Sequence, residues 1–168
     1  MFRSLQDSMA RRRLLLGGAI SGLGALVAGA PGAAAQQPPP PPTGIQILDY
    51  DPPRRFSRGA RVGNIVYLAG EDGKVWTSGT EWYVVPGGIG PQTERTFENI
   101  RESLRAFGTD LEYIFKMTSY FISYYDRAVF NEVRRRYLPR PVPGTAIQVS
   151  SLSDLESVVE VDVMALVP

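Results

Sequence analysis

The sequence predicts an α+β domain: one sheet with two helices on one face, its elements in the order βββ-α-β-α-ββ. Three observations point there. Short β-prone runs punctuated by Gly, Pro and Asn crowd both ends of the domain. Two stretches between them repeat their apolar residues at helical spacing. The last run, residues 158–167, alternates strictly, with Val159, Val161, Val163 and Ala165 on one side and Glu160, Asp162 and Met164 on the other.

The chain ahead of that domain reads differently. Ala10-Arg11-Arg12-Arg13-Leu14 opens a Gly- and Ala-rich apolar run that ends in Ala33-Ala34-Ala35-Gln36. A charged start, an apolar middle and an Ala-x-Ala end predict a cleaved export signal over residues 1–35. Adjacent arginines favour the twin-arginine type, with a periplasmic or otherwise exported mature protein. The run is too broken by glycine to favour a permanent span, so no membrane association is expected after cleavage. Residues 36–44, with Pro38 to Pro42, form a polyproline II linker. The domain then occupies residues 45–168.

Composition removes whole classes of chemistry. Of 18 basic and 17 acidic residues, the signal holds Arg3, Arg11, Arg12, Arg13 and Asp7, so residues 36–168 carry a net charge of −2. That leaves no electrostatic footprint for nucleic acid. The sequence has 0 His and 0 Cys. Zinc held by Cys or His, thiolate nucleophiles, Ser-His-Asp triads and disulfides are excluded together. General acid–base work falls to Asp, Glu, Tyr and the two lysines, Lys74 and Lys116.

In chain order, Ile45-Gln46-Ile47-Leu48 is a first strand, an extended arginine-rich run follows over 54–60, and Gly63-Asn64 turns into a buried strand over 65–70. Residues 71–90 read as loop, with five residues among Gly73, Gly79, Pro86, Gly87 and Gly88 breaking regular structure. Trp76, Trp82 and Tyr83 in that loop pack it down, cover a pocket or contact a subunit. Gly87-Gly88-Ile89-Gly90 lacks the Lys-Ser/Thr of a phosphate-binding loop. Residues 91–107 form a helix with Phe97, Ile100, Leu104 and Phe107 inward, ended by Gly108. Residues 113–123 alternate as a strand, Phe115, Met117, Ser119 and Phe121 on one side. Asp126 caps a second helix to Leu138, on which Arg134-Arg135-Arg136 make a solvated face or subunit salt bridges. After Pro141 and Pro143, residues 144–151 and 158–167 make a closing hairpin. Apolar side chains on both faces of the strands predict that the uncovered face meets another subunit.

These segments together resemble the RidA (YjgF) family. The matching residues are Phe56-Ser57-x-Gly59, Gly63 to Gly70, Gln92-Thr93, Asn99-Ile100, Lys116-Met117-Thr118, Asp126, Asn131-Glu132-Val133 and Val158 to Ala165. The resemblance implies a chorismate-mutase-like fold, a homotrimer with ligand sites between subunits, and hydrolysis, with no cofactor and no metal, of enamines or imines derived from amino acids. It also implies a set of site residues. Glu160 takes the place of the water-activating glutamate and Thr145 that of the Ser/Thr at the start of the penultimate strand. Asn131 matches the helix asparagine, Phe56 stands for a pocket tyrosine, and Ala69 and Glu71 stand for a serine and a glutamine.

Gly144 falls where the family carries the arginine that holds the substrate carboxylate. Glycine offers no guanidinium fork. Placing Arg140 there instead would drive Pro-Val-Pro into the start of the strand. With Glu71, Glu160 and Asp162 converging, a neutral or cationic amine or imine is the expected small-molecule ligand. Glu160 activates water in this reading; the other reading pairs it with Arg58 or Arg61 of a neighbouring subunit. A protein that binds without catalysing, or a structural trimer, is the alternative function.

Overall fold

The computed structural model describes residues 42–48, 56–78 and 81–168, all within one compact unit spanning residues 37–168. Residues 1–35, where an export signal is expected, and the expected linker apart from residues 42–44 lie outside the described residues. Nine strands and two helices are described: β1 Ile45–Leu48, β2 Gly59–Val62, β3 Ile65–Leu68, β4 Glu71–Asp72, β5 Lys74–Ser78, β6 Glu81–Val84, α1 Ile89–Ala106, β7 Ile114–Phe121, α2 Arg127–Tyr137, β8 Gly144–Gln148 and β9 Val159–Leu166.

The main sheet runs β1-β2-β3-β9-β7-β8, with β4 also paired to β9. Gly63 supplies the left-handed residue, φ 61°, that turns β2 into β3. Both helices cover one face. The inward stripe of α1, Phe97, Ile100 and Leu104, is fully buried against Val159, Val161 and Val163 of β9. Phe130 of α2 stands edge-on to Phe121 of β7, ring centres 5.0 Å apart. Leu104 and Arg105 carbonyls accept from the N–H groups of Phe107 and Gly108, and Gly108 takes φ 80°, so α1 ends as its sequence predicts.

Four sequence expectations need correction. Residues 71–90 are not a loop: between β3 and α1 the order gains β4 and the separate hairpin β5–β6. Trp76 and Trp82 face each other across that hairpin, 6.4 Å between ring centres, so the aromatics are cross-strand partners. Second, β8 and β9 are not a hairpin. β8 lies parallel to β7 at the sheet edge, and β9 lies antiparallel between β3 and β7. The reason is burial: β9 offers a continuous row of valines suited to the sheet centre, while Gly144-Thr145-Ala146-Ile147-Gln148 is exposed throughout and suited to an edge.

Third, Phe115 does not share the face of Met117 and Phe121. The β7–β9 register shifts between Ile114 and Lys116, which buries Ile114 and turns Phe115 outward. Fourth, Asp126 makes no capping hydrogen bond with its side chain; a 3-10 turn over Tyr124–Asp126 leads into α2 instead. Among the described residues, no helix is long and apolar enough to cross a membrane.

Candidate functional site

The break between β3 and β4 builds the site. Ala69-Gly70 interrupts the strand pairing, so Tyr67 pairs with Met164 before the break and Asp72 with Glu160 after it. β4 is only two residues long and would not hold alone. The polar face of α1 holds it. Asn99 donates from Nδ2 to the carbonyls of Asp72 and Lys74, 2.9 Å each, and Ser103 Oγ donates to Glu71 Oε1 at 2.7 Å. Ser157 Oγ donates to Asp72 Oδ2 at 2.8 Å from the turn ahead of β9. Gln92 clamps that turn, donating to the Glu156 carbonyl and accepting from Val158 N–H. Sequence periodicity showed the apolar stripe of α1 but not this second, buried polar stripe.

Around this scaffold lies a cavity of about 500 Å³. Its walls include Phe56 and Trp76. Its ionisable lining is Glu71, Asp72 and Glu160 against Arg58 and Lys74, three carboxylates to two cations. The cations are engaged: Arg58 Nε donates to Glu71 Oε1 at 3.0 Å, and Lys74 Nζ lies 2.7 Å from Asp72 Oδ2. Glu160, half-buried, is the carboxylate left facing the cavity between them. Burial raises its pKa above the ordinary carboxylate value, the charge of Asp72 adds to the rise, and Lys74 opposes it. Burial raises Glu71 too, against the opposing pull of Arg58. Tyr120, also in the lining, donates from its hydroxyl to Asp162 Oδ2 at 3.0 Å, which raises the tyrosine pKa.

A second, smaller cavity of about 190 Å³ lies between α2 and the β7–β8 edge. Asn131, Gly144 and Thr145 line it, together with Arg127 and Arg134 of α2. Thr145 Oγ1 accepts from Lys116 Nζ at 3.1 Å.

The sequence-predicted residues therefore fall into two groups. Phe56, Glu71 and Glu160 share the larger cavity; Asn131, Gly144 and Thr145 share the smaller one. Asp162 lines neither cavity; it accepts from Tyr120, which lines the larger one, and its charge adds to the rise in the pKa of Glu160. Arg140 lines neither cavity: it donates to the Glu112 and Ile114 carbonyls. Arg61 donates to the carbonyls of Gly63 and Phe107. The triple arginine splits: Arg136 pairs with Glu94 at 2.8 Å, Arg135 is exposed, and Arg134 turns into the smaller cavity rather than joining a solvated face. Gly144 itself carries no guanidinium, yet the cavity it lines holds two.

Sequence reasoning offered Trp76 as a pocket cover, which its place in the lining fits, and missed Gly70, Asp72, Lys74, Tyr120, Arg127 and Arg134 as lining residues. Their positions depend on the break after β3 and on which face of α2 turns inward. Among the described residues, no group of three or more His, Cys, Asp or Glu stands where it could hold a metal ion.

Residues 48–167 match the family model described as endoribonuclease L-PSP. Among curated relatives, a RutC family protein of Pyrococcus abyssi is 33% identical over 98 residues, 58% of this chain and 75% of the relative. The 2-iminobutanoate/2-iminopropanoate deaminase of Mus musculus is 26% identical over 111 residues, 66% of this chain and 80% of the relative. The crystal structure of RidA from the Antarctic bacterium Psychrobacter superposes with a TM-score of 0.58 at 30% identity, covering 67% of this chain and 88% of that one. A YjgF-family structure from Mycobacterium tuberculosis, 21% identical with a TM-score of 0.59, shares the fold over 73% of this chain and 98% of its own. By its strand order, its helix-covered face and this match, the chain belongs to the RidA (YjgF) family, the endoribonuclease L-PSP family of the matching model.

Proposed function

We propose that the chain is an exported RidA-like protein that takes a small amine- or imine-type ligand and hydrolyses a reactive imine or enamine of altered scope. The observation that carries this reading is Glu160, set in the larger cavity beside Gly70 with its proton affinity raised by burial. A carboxylate titrating nearer neutrality is suited to take a proton from water as the oxygen attacks a C=N carbon. The proton passes to nitrogen, the C–N bond breaks, and an amine or ammonia leaves behind a carbonyl compound. The excess of carboxylates in this cavity favours a neutral or cationic C=N group. The names of relatives such as the Mus musculus deaminase support the reaction class.

Thr145 and Asn131 join this chemistry only through assembly. In a homotrimer, the larger cavity of one subunit would meet the smaller cavity of the next, which brings Glu160 and Thr145 to one cleft. The exposed Phe56, Val62, Tyr67 and Ile147 support a covered face in the assembled protein. Sedimentation that found only monomer at micromolar concentration would remove this part of the proposal. Export would yield a mature N-terminus near Gln36, read by N-terminal sequencing; an intact Met1 on a cytosolic species refutes it.

The second reading is a binding or structural trimer without turnover, favoured by the bare Gly144 where active relatives are expected to grip a carboxylate. An imine-hydrolysis assay with imines generated in situ separates the two. Turnover abolished by Glu160→Gln supports the hydrolase; unchanged turnover dismisses Glu160. Thermal stabilisation by ligand without turnover supports the binding protein.

A further inference from the structure

The larger cavity has an apolar half that the proton chemistry of Glu160 does not use. At about 500 Å³ it is of the size that encloses a whole organic ligand. Besides the ionisable groups, Phe56 and Trp76 bring aromatic rings to its lining. Val149 and Leu152, from the segment after β8, add aliphatic side chains. Phenylalanine offers no hydroxyl, and an indole is an apolar body with one N–H. A bare C=N group at Glu160 engages the carboxylates and leaves these side chains without a partner.

Trp76 is fixed by the network that sets the carboxylates. It stands opposite Trp82 in the β5–β6 hairpin, and Lys74 Nζ lies both over the Trp82 ring and 2.7 Å from Asp72 Oδ2. The base of the hairpin is locked to α1. Arg95 Nε and Asn99 Nδ2 both donate to the Lys74 carbonyl, and Val85 N–H donates to the Gly73 carbonyl at 2.9 Å. Gly73 sits so close to the helix that a Cβ there would fall 2.9 Å from Gln92 Cβ. Lys74 and Trp76 alternate on β5 and so share a face. Trp76 follows Asp72, the cross-strand partner of Glu160, by four residues, which keeps their Cα atoms within about 14 Å. A ring held at a set reach from a carboxylate is pre-organised for a ligand that carries both a nitrogen and a ring.

We infer that Trp76 is the specificity-determining residue of this cavity and that the substrate is an arylalkyl imine. Its C=N carbon sits at Glu160, and a short alkyl chain joins that carbon to an aromatic ring lying against the indole. The inference rests on the hydrolase reading and narrows it to a substrate class. Water adds to the C=N carbon, the C–N bond breaks, and an arylalkyl aldehyde and ammonia leave, with no oxidant or reductant required. Burial of the ring and its contact with the indole supply the selectivity. The three carboxylates of the lining favour an imine that carries no carboxylate of its own.

The test is calorimetric titration of the full chain with 2-phenylethylamine and with ethylamine, unreactive stand-ins for an arylalkyl and a small aliphatic imine. The phenyl compound should bind about tenfold tighter or more, as burial of an aromatic ring implies. Trp76→Ala should cut that ratio to about threefold or less and leave the ethylamine affinity unchanged. Trp76→Phe, which keeps a ring, should preserve the preference. In the imine-hydrolysis assay, kcat/KM for the phenylethyl imine should exceed that for the ethyl imine by a similar factor, lost in Trp76→Ala. Binding of neither amine, equal affinities, or an intact ratio in Trp76→Ala overturns the inference. Ring preference without turnover of either imine keeps Trp76 as the selector of a bound ligand and removes the reaction. Turnover of both imines at equal kcat/KM keeps the hydrolase and removes the selector, so the two failures are distinguishable. If Trp76→Ala loses its cooperative thermal transition, Trp76→Leu decides.

Discussion

Gly70 lies against Glu160 so closely that a Cβ on the glycine would fall 2.6 Å from the glutamate Cδ and 2.8 Å from its Cγ. The glycine is thus a spatial requirement of the carboxylate, imposed across the break between β3 and β4. Gly70→Ala should therefore swing the Glu160 side chain aside while the backbone stays put. Unfolding free energy should change by less than about 1 kcal/mol, since only a flexible side chain must move. If Glu160 activates water, turnover should fall on the order of a hundredfold, the scale of a misplaced catalytic group. Steady-state assay beside a thermal melt checks both halves; full turnover in the variant would show that the position of this carboxylate does not matter.

The raised pKa values of Glu160 and Glu71 make stability depend on pH in a definite direction. A carboxyl whose folded pKa exceeds its unfolded value binds more protons when folded. Its stabilising contribution is complete below the unfolded pKa, about 4.3 for glutamate, and is lost as pH rises through the folded value. Glu160→Gln removes the titrating group. Its melting temperature relative to wild type should climb as pH increases from about 4 to 8, because only the wild type then buries a charge. A difference that is flat with pH would mean that Glu160 titrates normally.

Asn99 is the pin that joins α1 to the site, donating to the Asp72 and Lys74 carbonyls. Asn99→Ala removes a donor from the Asp72 carbonyl in a buried setting, while the Lys74 carbonyl keeps Arg95 Nε. Destabilisation of about 1–3 kcal/mol follows from the cost of unsatisfied buried polar groups. Urea unfolding measures it. Because β4 carries Glu71 and Asp72, ligand affinity in the larger cavity should fall in the same variant.

The protein has 2 Trp, and only Trp76 lines the larger cavity; Trp82 sits under Lys74 Nζ, 5.0 Å from the ring centre. In a Trp82→Phe protein, tryptophan emission should respond saturably to an amine or imine ligand. In Trp76→Phe the response should vanish. Fluorescence titration of the two variants locates the ligand without relying on turnover.

Much of this architecture was legible locally. The valine alternation of β9, the inward stripe of α1 and the Gly63 turn each depend on neighbours in sequence, and each lies where its pattern placed it. The misreadings were non-local. Gly73, Gly79 and Pro86 suggested irregular chain, yet the cross-strand contact of Trp76 with Trp82 closes a hairpin. The nearness of β8 and β9 in sequence suggested that they pair, yet the ten residues from Val149 to Val158 carry the chain past β7. The site suffered in the same way. Glu160 stood out from its strand face, whereas its companions Lys74, Asp72 and Gly70 meet it only because a two-residue strand pairs with β9. Arg134 was hidden in a run of three arginines whose separate fates depend on helical pitch and on what α2 packs against.

The placement of β9 has a consequence for how the domain is made. The strand at the middle of the sheet follows every other described strand in sequence, and until it is synthesised β3 and β7 have no common neighbour. Nascent chains short of residue 159 must hold two unsatisfied sheet edges and an uncovered Phe97-Ile100-Leu104 ridge, a state open to mispairing and to chaperone capture. Completion of the sheet thus waits on Val159–Leu166, and a lesion there should abolish the fold rather than trim it.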